Sequence, residues 1–250
     1  MCRTLLAAAV LAMAMSEIAR ADEQADAKAI LETAIKAQGS DEAVGKFTGI
    51  YFKAKGKTLD EENKWVPILY ESYMQGNNKM RTVNYDVQNK VESIDVLNGK
   101  EGWTKEKDKA AEALNGEQIK QRLEMNYLSW TTMLVPLRAP EYRLFLLNEI
   151  DVAGKKAEGI LIHHDGHEPV KLYFDKESHL LVKYEFHYKN ADVGQEVDET
   201  CVFSDYKTVQ DVKQPMKIEQ SWDGVKIAEL EITDLKFNEK PLDDKLFVKP

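Results

Sequence analysis

The residues from Gly159 to Pro250 leave little freedom of fold, because turn-formers interrupt them at short intervals with almost no helical period between. Leu180, Val182, Tyr184, Phe186 and Tyr188 alternate with Leu181, Lys183, Glu185 and His187. A period of two marks a strand with one buried and one wetter face. Val170–Phe174, Thr200–Tyr206, Met216–Trp222 and Val225–Phe237 read the same way. The breaks fall at Asp165-Gly166, Asp175-Lys176-Glu177-Ser178, Gln214-Pro215 and Asp223-Gly224. Asp-Gly between alternating runs is a strong hairpin signal, since both central residues of a type I′ turn need positive φ. Successive hairpins make an antiparallel meander, which must close on itself or bury one face under other elements.

Met1 to Ala21 has the form of an export leader: Arg3, an apolar run from Leu5 to Met15, then Ala19-Arg20-Ala21 as a cleavage site. The run is too short to span a bilayer, and Cys2 precedes it, so there is no lipobox. Cleavage before Asp22 is expected, leaving Asp22–Pro250 as one exported domain with Cys201 as its single cysteine. No internal disulfide is then possible, and Cys201, beside Val202 and Phe203, reads as a small buried hydrophobe. The formal charge of −9, more negative once Arg3 and Arg20 are lost against Glu17, argues against nucleic acid or an anionic membrane as partner.

Within the mature chain, Asp26–Gln38 is an amphipathic helix with Ala27, Ile30, Leu31, Ala34 and Ile35 on one stripe and Gly39 at its end. Strands are expected over Phe47–Ala54, Trp65–Met74, Met80–Val87 and Val91–Leu97, with a polar tip at Lys55–Lys64 and turns at Gly76-Asn77-Asn78 and Asn98-Gly99. Lys105–Asn115 reads as loop. Asn115 with Gln118 offers a partial capping pattern for a helix whose stripe is Ile119, Leu123, Tyr127, Trp130 and Leu134, ended by Pro136. Pro140 opens a further short helix through Leu147, and Asp151–Lys156 leads back to the meander.

Catalytic signatures are missing: no Gly-x-Ser-x-Gly, phosphate-cradling glycine loop, Cys-x-x-Cys or His-Glu-x-x-His occurs, and no carboxylate pair can be assigned to acid–base work. All five histidines lie between His163 and His187. A two-residue turn at Asp165-Gly166 would set His164 opposite His167 on one face and His163 opposite Glu168 on the other. Two ligands a side is fewer than structural zinc requires, so neither metal nor cofactor is expected.

Asn98-Gly99-Lys100-Glu101-Gly102-Trp103, Tyr173-Phe174-Asp175 with Leu180-Leu181-Val182-Lys183, Ser204-Asp205-Tyr206-Lys207 with Gln214-Pro215-Met216-Lys217-Ile218, and Phe237-Asn238 with Leu246-Phe247-Val248-Lys249-Pro250 follow one another along the chain. In that order they resemble the LolA-like outer-membrane lipoprotein-sorting superfamily, of which LolA, LolB and LppX are types. Gln210-Asp211-Val212-Lys213-Gln214-Pro215 departs from the superfamily's D-G-x-x-x-P. The resemblance implies a mainly β (α+β) fold: one curved antiparallel sheet forming an incomplete half-barrel, its concave face apolar and covered by the N-terminal and central helices. A single curved sheet leaves a hollow that one layer of side chains cannot fill.

Candidates for its wall and lid are Tyr51, Trp103, Tyr127, Trp130, Leu134, Tyr184, Phe186 and Trp222, with Tyr184 and Phe186 directed inward and Lys183 and Glu185 outward. Arg81 is the only match, a loose one, to the strand arginine that latches the carrier's lid. The function implied is an exported, monomeric, non-enzymatic periplasmic protein of a Gram-negative-type envelope that shields a lipid or acylated protein. The alternative is a regulatory module of the same fold that contacts an envelope protein partner.

Overall fold

The computed structural model describes residues 24–39, 41–60, 62–192 and 194–250, so the leader read over residues 1–21 lies outside the described residues. The chain begins with helix α1 (24–38) and a short helix α2 (Asp41–Gly45). A first run of strands follows: β1 (Gly49–Leu59), β2 (Trp65–Gln75), β3 (Lys79–Tyr85), β4 (Val91–Asn98), β5 (Glu101–Glu106) and β6 (Glu112–Ala113). Helix α3 (Gly116–Thr131) and a 3₁₀ turn (Val135–Arg138) cross to the second run. That run comprises β7 (Arg143–Val152), β8 (Lys155–His163), β9 (Val170–Asp175), β10 (Leu181–Asn190), β11 (Gln195–Val209), β12 (Val212–Trp222) and β13 (Val225–Asn238), and a 3₁₀ turn (Asp244–Phe247) follows.

All thirteen strands form one curved antiparallel sheet, not closed into a barrel, in the order β6-β5-β4-β3-β2-β1-β13-β12-β11-β10-β9-β8-β7. Each neighbour is the next hairpin arm except at the middle, where β1 pairs with β13. At that seam Gly56 is required: a Cβ there would stand 1.9 Å from the Glu229 carbonyl oxygen. Helices α1 and α3 lie on the inner face. Ala27, Leu31, Ala34 and Ile35 of α1 join Ile160, Ile162, Val170, Leu172, Phe174 and Phe186 in the main core. The Glu32 carboxylate takes a two-pronged bond from Arg138, Nε to Oε1 at 2.7 Å and Nη2 to Oε2 at 2.5 Å, tying α1 to the crossover.

Several expectations are corrected. The break at Gln214-Pro215 is inside β12, with Pro215 opposite Tyr206; the turn is Gln210-Asp211, both at positive φ (49° and 65°), the type I′ geometry that Asp-Gly usually provides. Asp223-Gly224 has that geometry too (48° and 78°), whereas at Asp165-Gly166 only Gly166 does, and the β8–β9 connection runs from 164 to 169. A bulge between Leu181 and Lys183 reverses the parity of β10's start. Leu181 therefore points into the main core, and Val182 packs on the outer face against Tyr173. The short helix opened by Pro140 is instead the edge strand β7. Part of Lys105–Asn115 extends the sheet as β5 and β6.

Candidate functional site: a cavity on the inner face

Helix α3 is held by its N-terminal half. Asn115 accepts from the Glu117 and Gln118 N–H groups while its own N–H donates to Gln118 Oε1, completing a capping box. Gln121 Oε1 accepts from Ala191 N–H at 3.1 Å, Arg122 pairs with Asp192 at 3.0 Å, and Glu124 Oε1 lies 2.9 Å from His167 Nδ1. The helix thus buries polar groups, Gln121, Glu124, Asn126 and Thr131, along with Tyr127 and Leu128. The stripe expected from Ile119, Leu123, Tyr127, Trp130 and Leu134 is rotated because these hydrogen bonds, more than hydrophobicity, seat the helix. It also ends at Thr131, with Leu134 beyond it at φ 63°.

The C-terminal half overhangs open space. Met125, Ser129, Trp130, Thr132 and Met133 roof a cavity of about 280 Å³ whose floor crosses six strands. The floor is supplied by Ile50 and Phe52 (β1), Tyr70 and Met74 (β2), Leu230, Ile232 and Leu235 (β13), Ile218 and Gln220 (β12), Glu199, Cys201 and Phe203 (β11), and Tyr184 (β10). The period of two, reset in β13 by a bulge between Ile232 and Asp234, explains the selection, since these residues share the inner face through pairs such as Phe52↔Leu235, Phe203↔Ile218 and Tyr184↔Cys201.

Of the residues singled out in the sequence, Trp130 and Tyr184 line this cavity. Phe186 is inward but enclosed in the main core beside Tyr188, and Leu134 is buried there too. Tyr127 is enclosed among near-parallel rings, with His167 at 3.9 Å and Tyr142 and His164 beyond. Trp222 stands just behind the wall, its Nε1–H donating to Glu199 Oε2 at 3.1 Å. Tyr51, Arg81 and Trp103 are on the opposite, outer face. Register connects them in one row, Tyr51↔Tyr73↔Arg81↔Val96↔Trp103. Arg81 donates to the Leu246 carbonyl at 3.2 Å, so among the described residues it ties β3 to the C-terminal turn.

The histidines that the sequence brought forward do meet: His164 and His167 have ring centroids 4.9 Å apart, with Tyr142 and Tyr127 on either side. Desolvation first, then His167, holds the His164 imidazole below its usual range. Among the described residues no group of three or more His, Cys, Asp or Glu is placed to hold a metal ion.

The polar end of the cavity was not foreseen. Glu199 is 1% exposed and accepts from Tyr184 Oη, from Tyr188 Oη at 3.3 Å and from Trp222 Nε1. Burial, then Cys201 and Glu199, push the Tyr184 phenol well above its ordinary value, and burial followed by Glu199 does the same to the Cys201 thiol. A signal existed: Val197, Glu199, Cys201 and Phe203 share one parity, an acidic side chain in an otherwise apolar row.

No family model and no curated protein matches the sequence. The fold does match solved structures and is LolA-like. A LolA superfamily protein of Nitrosomonas europaea superposes with a TM-score of 0.58 at 14% identity, over 89% of this chain and 97% of that one. A DUF1329 family protein of Desulfovibrio piger gives 0.56 at 12%, over 89% and 97%. A putative outer membrane lipoprotein-sorting protein domain of Vibrio parahaemolyticus gives 0.53 at 11%, over 86% and 97%. Among the described residues no helix is long and apolar enough to cross a membrane.

Proposed function

We propose that this chain is an exported, non-enzymatic binding protein of the periplasm that shelters an acyl or alkyl chain, of a lipid or a lipidated protein, beneath the C-terminal half of α3. The observation that carries this reading is the cavity: apolar side chains from β1, β2, β12 and β13 face one another across about 280 Å³ without filling it. At roughly 30 Å³ per methylene-sized group, by analogy with water's share of its liquid, the space takes on the order of ten carbons. Burying ten methylenes is worth about 8 kcal/mol gross, which association costs reduce, so a single chain should bind in the micromolar-to-millimolar range. The fold of the lipoprotein-sorting domain compared above supports the same assignment by analogy of architecture.

The test is titration with N-phenyl-1-naphthylamine, whose fluorescence rises on entering an apolar site, in competition with dodecanol. Saturable binding is expected in the wild type and should be lost in Ile232→Trp, which fills the cavity, while that variant keeps its circular dichroism. No saturable binding, or binding indifferent to Ile232→Trp, would overturn the reading. A protein partner recovered at one-to-one stoichiometry without lipid, by native mass spectrometry of envelope fractions, would favour the regulatory alternative.

A further inference from the structure

Glu199 does not belong in a cavity built only to hold hydrocarbon. Glu199 is in the wall, 1% exposed, and among the described residues its hydrogen-bond partners are neutral donors: two phenol hydroxyls and an indole N–H. The two oxygens of a carboxylate offer about four acceptor sites, so three donors do not exhaust them. Among the described residues no Lys, Arg or His forms an ion pair with it; Arg122, which acts on the neighbouring Tyr188, pairs with Asp192. Burying a carboxyl group without a counter-charge is costly, and an apolar side chain at this position would pack in the same row without that cost. Phe186 and Trp222 flank Glu199 across the ladder, so the row itself is apolar.

The cavity that Glu199 lines is also lined by aromatic side chains: Phe52, Tyr70, Trp130, Tyr184 and Phe203. Tyr70 reaches the same end from β2, close enough to Cys201 to interact with it electrostatically. A carboxylate set among aromatic rings is the chemistry that receives an ammonium group, by charge and by cation–π attraction together. Phosphate and carboxylate heads would meet repulsion there.

We propose that the cavity selects an alkylammonium amphiphile, seating the ammonium against Glu199 and the surrounding rings and the alkyl chain along β13 and β1. This rests on the reading that the cavity holds an alkyl chain. The two ideas are separated by the choice of competitors.

Dodecylammonium, dodecanol and dodecanoate share a tail and differ at the tip. Each is used, below its micellar concentration, to displace N-phenyl-1-naphthylamine at about 0.5 M salt, where the field of surface charges is largely screened. Dodecylammonium should displace the dye at least about tenfold more effectively than either of the others, and Glu199→Gln should bring the three within about threefold of one another. Equal displacement by all three in the wild type would overturn the inference and leave the alkyl cavity standing. Displacement by none would remove both. Retention of the preference in Glu199→Gln, with or without a change in melting temperature, would mean that Glu199 only braces Tyr184 and Trp222. Should that variant fail to fold, the ranking of the three amphiphiles in the wild type still decides.

Discussion

The inner face of β8–β10 and the inner face of β1, β2 and β13 belong to one sheet and carry similar apolar side chains, yet one is filled and the other hollow. On the first, Ile160, Ile162, Val170, Leu172 and Phe174 are fully buried under α1. On the second, Ile50, Phe52, Tyr70, Leu230 and Ile232 stay half-buried around the cavity. Strand composition does not account for the contrast; the position of the helices does. α1 brings four small or branched residues at helical spacing against β8–β10, and a row of such residues can approach a sheet closely. α3 and the turn that follows it reach the other half with Trp130 and Met133 only where the polar N-terminal half of the helix has fixed its height. Burial belongs to the pair of surfaces, and one surface alone does not determine it.

The sharpest way to break this comparison is truncation on both sides. Phe174→Ala, in the filled half, should cost about 3–5 kcal/mol in urea unfolding, while Phe52→Ala should cost less than half as much because its site is already partly empty. Equal losses would mean that the second half is packed as tightly as the first. Next in size, Trp130→Ala should cost about 1–2 kcal/mol, less than a fully packed tryptophan, and should change dye affinity in the same preparation. A loss near that of Phe174→Ala, with dye binding absent, would make the roof a piece of core.

Much of this architecture could be read in the sequence, and the misses have physical causes. Period two located most of the strands, though not β7, read as a helix opened by Pro140, and both residues of Asp223-Gly224 take the positive φ expected. The site was harder, because parity in a strand is decided by single residues. Tyr51 and Ile50 are neighbours, and only pairing shows that Ile50 faces the cavity while Tyr51 meets Tyr73 on the other side, ring centroids 4.9 Å apart. One bulge at Val182 reverses a run whose alternation looked unbroken. For α3 the apolar stripe misled because Glu124 and Gln121 make specific bonds to loops that no local pattern announces. Glu199 was passed over among the many carboxylates, although its parity with Cys201 and Phe203 set it apart.

Smaller effects sharpen the account of α3. Asn115→Ala removes the acceptor for two N–H groups and should cost about 1 kcal/mol. Because the cap is remote from the cavity floor, dye affinity should follow only if the seating of α3 sets the roof; an unchanged affinity would show that the C-terminal half holds its own position. The smallest effect expected is on pH. The His164 imidazole is held low by desolvation and by His167, with His163 adding to the effect and Glu141 and Asp165 opposing it. The unfolded chain then binds more protons than the folded one just below the usual histidine value of about 6.5, so this stability is present above that pH and lost as pH falls. His187, raised by its bond to Asp198, works in the opposite sense but at an exposed site. The urea midpoint of the wild type should therefore fall slightly more between about pH 7.5 and 5.5 than that of His164→Asn. An identical fall in both would remove His164 from the account.

The pairing of β1 with β13 sets an order of assembly. Each meander, β1 to β6 and β7 to β13, grows by hairpins between neighbours in sequence, but the seam joins Thr48 to Asn238, 190 residues apart. Loop closure of that length is the slow event in folding, so two wings should form early and zip together late. The cavity floor straddles that zip, with Ile50 and Phe52 on one side and Leu230, Ile232 and Leu235 on the other. Until the seam closes, the chain holds both walls of the cavity without the cavity itself. Occupancy by any ligand would act as a rivet across the seam, slowing unfolding more than it speeds folding.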